Sequence, residues 1–171
     1  MKEKYIARQM LFFFGILWVI GLILSGCRTN DQHIREIVKE ELASAMKRTA
    51  ITNANVIGPY SPAQQVGNFL FVSGQIALNQ QTGQLENKDI ETETRRVLEN
   101  LMAILNNAGF DSSNVISTTV YLKDIADYPK MNNIYGGYFT EGNYPARAAV
   151  QVAALPREAN VEISAIAYKS K

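Results

Sequence analysis

The chain has 171 residues, with 17 Lys or Arg and 16 Asp or Glu, which is enough for one domain with a buried core and a shorter extra segment. Residues 51–171 contain 9 basic and 11 acidic side chains, and this net charge of −2 without a basic cluster argues against a nucleic-acid surface. A single cysteine and a single histidine exclude an internal disulfide and a Cys/His metal site, and no glycine-rich phosphate loop is present.

The first 27 residues have the pattern of a secretory signal. A basic flank precedes an uncharged, mainly apolar stretch that ends at Cys27. The last four residues of this stretch, LSGC, resemble the bacterial lipobox, in which the cysteine is diacylated and becomes the first residue after cleavage. An uncleaved transmembrane anchor is the alternative, because the stretch is of borderline length for crossing about 30 Å of hydrocarbon.

Both interpretations of residues 1–27 imply a chain tethered to a membrane. The basic flank is expected to stay inside, which places the body on the extracytoplasmic side, periplasmic or at the cell surface. Residue 28 is Arg, not the Asp that often retains lipoproteins at an inner membrane. In a host with two membranes, this favours the outer one.

Residues 28–50 are predicted to form a helical tether. Asp31 is a candidate N-cap, and apolar side chains follow at helical spacing: Ile34, Ile37, Val38, Leu42, Ala45 and Met46. This stripe fits a short coiled coil, a helix docked on the body or a solvated spacer. The run is too short for three heptads, which favours the docked helix or the spacer. The single histidine, His33, lies here and is interpreted as an exposed side chain.

The body, residues 51–171, begins with a turn-rich run and a strand predicted over 68–76. Residues 89–108 form the clearest helix, because their apolar side chains share one face while charged side chains occupy the rest. Gly109 is a suitable residue to end this helix. A β-branched, alternating run over 115–123 predicts the next strand.

A second helix is predicted over 127–140, with Asp127 as its cap. Gly136 and Gly137 are unusual in a helix interior, where each costs about 1 kcal/mol relative to alanine. Close packing against a neighbouring element would explain them. Two more strands are predicted over 146–153 and 160–168, and they are candidates to pair as a hairpin.

This order of elements predicts an α+β domain in which one mixed sheet has two helices on one face. Side chains alternate across a strand, so the last strand presents two sets to opposite faces. Val161, Ile163, Ala165 and Ala167 form one set, and Glu162, Ser164, Ile166 and Tyr168 form the other. Both sets contain apolar residues. The face without helices is therefore expected to be buried against other copies of the chain.

Two lone charges in apolar strands are the main candidates for chemistry. Arg147 and Glu162 lie in strands that are expected to be adjacent. A structural ion pair is one interpretation, and from spacing alone it is the more common arrangement. In the functional interpretation, the guanidinium binds a small carboxylate through two hydrogen bonds and the glutamate orients a water and handles its proton. That combination suits hydrolysis at a carbon next to a carboxylate.

Other motifs are weak singly, because Tyr60 in a turn, Ser73-Gly74 at a strand end and Asn132 in a helix are more often structural. Together they form an ordered set: GPYSPA from 58, FVSGQI from 71, N-x-x-Y-x-x-Y-F from 132 and PARAAVQVAALPREANVEI from 145. This set resembles the Rid family, the RidA/YjgF proteins. The resemblance covers about residues 50–169.

The resemblance implies a chorismate-mutase-like α+β fold and a homotrimer with ligand clefts between subunits. It implies an imine deaminase that hydrolyses compounds such as 2-aminoacrylate or 2-iminobutyrate to 2-keto acids and ammonia, without a metal or cofactor. Arg147 matches the family's carboxylate-binding arginine, and Glu162 matches the glutamate that positions water. The remaining matched cleft residues are Tyr60, Ser73, Gly74 and Asn132.

The chain departs from the family pattern in two places. Ala149 stands where some members have cysteine, which excludes thiol-dependent or redox-switched behaviour. It leaves deamination intact, since a backbone carbonyl there can still hold the water. The lipobox at Cys27 is the other departure, because typical members are cytosolic.

Two alternative functions stay open at this level. A tethered module that captures a small carboxylate without turnover is one, because the enzymes that produce imines are mostly cytosolic. An endoribonuclease is the other, since that activity is also attached to the family. The net charge of residues 51–171 argues against the latter, and no nucleic-acid partner is expected.

Overall fold

The computed structural model describes residues 31–44, 46–52 and 54–170. The chain divides into two compact units, Met1–Met46 and Lys47–Lys171. The predicted signal segment and Cys27 lie outside the described residues. Among the helices of the described ranges, none is both long enough and apolar enough to cross a membrane.

In the first unit, the described residues form helix α1 (residues 31–44), and all of them are exposed. The Arg35 guanidinium contacts the Asp31 carboxylate one turn earlier at 3.0 Å. The prediction of a helical tether up to residue 50 is wrong at its C-terminal end. Arg48–Ile51 form strand β1, whose partner strand aligns Thr49 with Gln65, so residues 48–50 belong to the sheet.

The second unit contains one six-stranded sheet with two α-helices. The sheet order is β1-β2-β3-β6-β4-β5, and every neighbouring pair is antiparallel except the parallel pair β4/β5. The remaining elements are β2 (Ala63–Val66), β3 (Phe69–Gln75), α2 (Ile90–Asn107), β4 (Val115–Leu122), α3 (Tyr128–Tyr135), β5 (Ala146–Gln151) and β6 (Val161–Tyr168). The predicted α+β architecture is confirmed. The predicted hairpin of the last two strands is wrong, because β4 lies between β5 and β6.

Helix α2 follows its sequence signals closely. The Asp89 carboxylate caps it by accepting a hydrogen bond from the Thr92 backbone N–H at 2.7 Å. Gly109 follows its C-terminal end with a φ of 79°, a left-handed conformation that glycine adopts without strain. Leu98, Leu101 and Leu105 are fully buried between the helix and the sheet.

Two buried polar side chains of α2 hold the segments next to two strands in place. The Glu93 carboxylate is fully buried and accepts hydrogen bonds from Asn160, at 2.7 Å from its backbone N–H and 2.8 Å from its amide. Asn100 donates to the carbonyls of Ile76 and Leu78 at 3.1 and 2.8 Å. Buried polar groups need hydrogen-bond partners. These bonds therefore hold the residue before β6 and the segment after β3 against the same helix.

Helix α3 is shorter than predicted. It ends at Tyr135, and Gly136–Tyr138 continue as a 3-10 turn. Asp127 makes no side-chain capping bond, so its predicted role as a cap is wrong. Within the described part of this one chain, a Cβ at Gly136 or Gly137 would meet no atom within 4 Å beyond the adjoining residues and the helix backbone, so no packing neighbour for these glycines is found there.

The predicted alternation in β6 is confirmed. Residues of the helix-facing set are buried, whereas Glu162, Ser164 and Ile166 are half-buried and Tyr168 is exposed. On the helix-free face, the rings of Phe69 and Tyr168 lie with centroids 5.0 Å apart. Such an exposed apolar surface is typical of an interface, and its burial against other copies stays a prediction.

Candidate functional site

The Arg147 side chain projects from β5 and contacts two aromatic side chains. Its guanidinium carbon lies 4.4 Å from the ring centroid of Tyr135 and 5.5 Å from that of Tyr128. Its Nη2 donates a hydrogen bond to the Tyr128 hydroxyl at 3.0 Å. Cation–π contacts of this kind hold a guanidinium plane without neutralising its charge.

The half-buried guanidinium has no acidic partner among the described residues. Burial of a charge is costly unless a counter-charge compensates it. Arg147 also lines a cavity of about 940 Å³, together with Tyr128, Asn132, Tyr135, Tyr144 and Ala149. A cation with free N–H groups in such a cavity is suited to bind an anion, and its planar fork matches a carboxylate.

The predicted residues Asn132 and Ala149 therefore lie with Arg147. Ala149 follows Arg147 by two positions on β5, so their side chains point to the same face of the sheet. Asn132 comes from α3, and its side chain and the charge of Arg147 lower the pKa of the Tyr128 hydroxyl. Three of the predicted site residues thus line one cavity.

Glu162 lies elsewhere, in contact with Gly74. A Cβ placed on Gly74 would overlap the Glu162 carboxylate, so the carboxylate occupies the space that the glycine leaves empty. Burial raises the pKa of Glu162 above its usual value of 4.5. A carboxyl group with this shift is better matched to proton transfer near neutral pH than an exposed one.

Ser73 lies in β3, and the turn that carries Tyr60 is bonded to it. The Ser73 hydroxyl donates to the Ser61 carbonyl at 2.8 Å, and the Ser73 backbone N–H donates to the Pro62 carbonyl at 3.0 Å. These bonds fix the turn that carries Tyr60 against the end of β3. Tyr60 itself is exposed, packed against Gly58 of its own turn.

The predicted pair Arg147 and Glu162 is not brought together within one chain. Strand β4 separates their strands, and it aligns Thr118 with Arg147 and Tyr121 with Glu162. Residues three apart on a strand point to opposite faces, so the arginine faces the helices and the glutamate faces the helix-free side. The expectation of adjacent strands is wrong, and the ion-pair interpretation is also wrong for the single chain.

Sequence reasoning gave no role to the residues that hold the guanidinium, although Tyr135 belongs to the motif that begins at 132. Tyr135 supplies the ring beneath it, and the Tyr135 hydroxyl lies 2.7 Å from the hydroxyl of the buried Thr118, directly opposite Arg147 in the sheet. Tyr128 adds the hydrogen bond to the edge of the guanidinium. A signal was present in the spacing of Tyr128, Asn132 and Tyr135, which share one helical face.

Comparison with known proteins finds relatives of the second unit of the chain. The family model described as Endoribonuclease L-PSP matches residues 50–169. A RutC family protein of Pyrococcus horikoshii is 53% identical over 113 residues, which are 66% of this chain and 89% of that protein. The 2-iminobutanoate/2-iminopropanoate deaminase of Mus musculus is 50% identical over 113 residues, 66% of this chain and 83% of that protein.

A solved structure extends the comparison to three dimensions. The crystal structure of TdcF from E. coli with bound serine is 36% identical and superposes with a TM-score of 0.67. The match covers 71% of this chain and 99% of that one. Since the family model covers well over half of the chain and the mouse relative is 50% identical over 66% of it, the chain belongs to the Endoribonuclease L-PSP family, the family of the RidA/YjgF proteins.

Proposed function

We propose that this protein is a 2-imino acid deaminase, which hydrolyses imines such as 2-iminobutyrate or 2-aminoacrylate to 2-keto acids and ammonia. The observation that carries the proposal is the half-buried, uncompensated guanidinium of Arg147 in a cavity of the described domain. A 2-imino acid offers the carboxylate that this guanidinium lacks. The mouse relative, whose name is that of such a deaminase, supports the same substrate class.

The proposed site is shared between subunits of a homotrimer. Arg147 and Glu162 face opposite sides of one sheet, so a complete site needs the glutamate of a second chain. The exposed aromatic surface of the helix-free face supports such an association. In this arrangement Asn132 and Ala149 accompany the arginine, whereas Tyr60, Ser73 and Gly74 accompany the glutamate.

The chemistry follows from the two halves. Arg147 holds the substrate carboxylate and thereby fixes the adjacent imine carbon. Glu162 accepts a proton from water as the water oxygen forms its bond to that carbon and passes this proton to the imine nitrogen, which gives a carbinolamine. The same carboxylate then takes the proton of the carbinolamine hydroxyl and delivers it to nitrogen, so the C–N bond breaks and ammonia leaves, with the 2-keto acid still bound. The raised pKa of Glu162 suits this double role.

The pH dependence of turnover tests the proposal. The catalytic form of Glu162 is the ionised one, so kcat/KM should fall as the pH drops through a pKa above 4.5. The assay follows ammonia release from 2-iminobutyrate by the full chain in detergent. Glu162→Gln should lose at least about a hundredfold in kcat and lack the acidic limb, in line with the usual contribution of a general base. A wild-type protein that does not accelerate ammonia release would refute the deaminase.

Gly74 offers a test of the glutamate's position. In Gly74→Ala the new methyl group would displace the Glu162 carboxylate, which is the free end of a side chain and can move at little cost to the fold. We expect a loss of about tenfold or more in kcat with an unchanged thermal unfolding midpoint, since small misplacements of catalytic groups are costly. Gly137→Ala is the matched control, because a Cβ there meets no atom within 4 Å. Equal activity of the two variants would contradict the assigned position.

Capture of a small carboxylate without turnover is the second candidate. The bound serine of the E. coli TdcF structure favours it, because an amino acid carries the same carboxylate. Binding of 2-ketobutyrate measured by calorimetry, in a protein that leaves 2-iminobutyrate unchanged, would select this function. The ribonuclease in the family's description lacks support from the charge of residues 51–171, which is −2.

We also propose that Cys27 is lipidated and tethers the domain on the extracytoplasmic side. The support is the basic flank, apolar run and lipobox in their proper order. Mass spectrometry of the mature N-terminus tests this proposal. A diacylated Cys27 at the first position is expected, whereas an intact residue 1 would favour the uncleaved anchor.

A further inference from the structure

Tyr128 occupies a position next to Arg147 that no motif assigned. It is the first residue of α3, and its hydroxyl accepts the Nη2 hydrogen bond of the guanidinium at 3.0 Å. The side chain is half-buried and lines the cavity. Its hydroxyl is therefore both a partner of the cation and a part of the cavity wall.

The guanidinium stacks on one aromatic ring and is hydrogen-bonded along one edge. The ring is that of Tyr135, which is held in place because its hydroxyl is hydrogen-bonded to Thr118 of β4. Stacking on a ring restrains the plane of a guanidinium but leaves it free to turn within that plane. The bond to Tyr128 removes this freedom, and the described residues give the other N–H groups of Arg147 no acceptor.

We propose that Tyr128 is a positioning residue, which fixes the rotation of the Arg147 guanidinium so that its free edge meets the ligand carboxylate. The inference rests on the carboxylate site of the proposed function and adds to it a determinant of affinity. A bidentate pair requires two parallel hydrogen bonds, so the orientation of the fork in its plane decides whether both form.

The variant Tyr128→Phe removes only this hydroxyl and tests the inference. The full chain in detergent is titrated with 2-ketobutyrate by calorimetry, and turnover of 2-iminobutyrate is measured in parallel. We expect Kd and KM to rise about fivefold to tenfold, the effect of one charge-assisted hydrogen bond, with kcat changed by less than about twofold. Tyr138→Phe is the control, because its hydroxyl lies outside the cavity and contacts the Arg95 carbonyl at 3.4 Å.

A pH titration separates positioning from simple packing. The titratable groups around this hydroxyl are Arg147 from β5, Tyr135 from α3 and Tyr144 from the loop before β5. A Tyr128 phenolate would pair with Arg147 and repel the ligand carboxylate. Since Asn132 and Arg147 hold the pKa of Tyr128 below 10.0, wild-type affinity should fall as the pH rises through this lowered value. Tyr128→Phe should lack that alkaline loss.

The outcomes distinguish this inference from the proposed function. A Tyr128→Phe protein that binds 2-ketobutyrate as tightly as wild type, while Arg147→Ala does not bind, overturns the inference and leaves the function intact. A weakened Tyr128→Phe in a protein that leaves 2-iminobutyrate unchanged supports the inference and overturns the deaminase. A wild type that neither binds 2-ketobutyrate nor releases ammonia from 2-iminobutyrate overturns both.

Discussion

Replacement of Arg147 by alanine is expected to lower kcat/KM for 2-iminobutyrate by about a hundredfold or more. The loss of a charge-assisted, bidentate pair in a partly buried site costs about 2–5 kcal/mol. Arg147 has no acidic partner among the described residues. Its removal therefore leaves no buried carboxylate unpaired among them, and the fold should persist. The measurement compares steady-state turnover with the thermal unfolding midpoint of the same preparation.

Two further variants define the cause of this loss. Arg147→Lys keeps the positive charge but lacks the planar fork that stacks on Tyr135, so it should recover only part of the affinity. Arg95→Ala removes an exposed guanidinium of α2 and should leave turnover unchanged. An Arg147→Ala protein as active as Arg95→Ala would exclude Arg147 from the site.

The elements that sequence predicts well are those with local signals. Helix α2 was predictable from its apolar periodicity and its terminal Gly109, since each signal acts within a few residues. Strands β4 and β6 were predictable from alternation and β-branched residues. These elements contribute most of the buried core.

Nonlocal features were not predictable from the same signals. β1 is a four-residue edge strand in which the first three residues are exposed, so it shows no apolar pattern, and it was assigned to the preceding helix. The partners of β5 and β6 depend on crossovers, and chain order suggested a hairpin where β4 intervenes. Strand order is set by packing over the whole sheet, which a local pattern does not encode.

The candidate site likewise combines features that local sequence motifs predict with features that they do not. Sequence motifs selected Arg147 and Glu162, and the structure gives each a chemically suited environment, an aromatic cavity for one and a desolvated niche over Gly74 for the other. The motifs did not indicate that the two side chains leave the sheet on opposite faces. That property follows from register, because their partners on β4 are Thr118 and Tyr121.

In the proposed site, Arg147 and Glu162 are two halves on opposite faces of the sheet, so two chains are needed to complete it. The arginine half also contains Tyr128 and Asn132, and the glutamate half contains Gly74, so each half is preorganised within its own chain. Within a single chain, however, the two halves face opposite sides of the sheet and do not meet. This separation makes the proposed trimer testable by activity, independently of its mass.

Co-expression of Arg147→Ala chains with Glu162→Gln chains should restore activity that neither variant has alone. Each variant carries one intact half, so a mixed trimer contains an interface at which the intact arginine of one chain meets the intact glutamate of the next. In a cyclic trimer of two variants there is one such interface, so mixed trimers should have roughly a third of wild-type activity.

Different affinity tags on the two variants allow the mixed trimers to be purified in tandem, and ammonia release from 2-iminobutyrate is then measured. Each variant expressed alone with both tags serves as the baseline. A site completed within one chain predicts no recovery, because every chain in the mixture lacks either its arginine or its glutamate. Recovery therefore requires that neighbouring chains contribute Arg147 and Glu162 to one site, as their placement on opposite faces of the sheet leads us to expect.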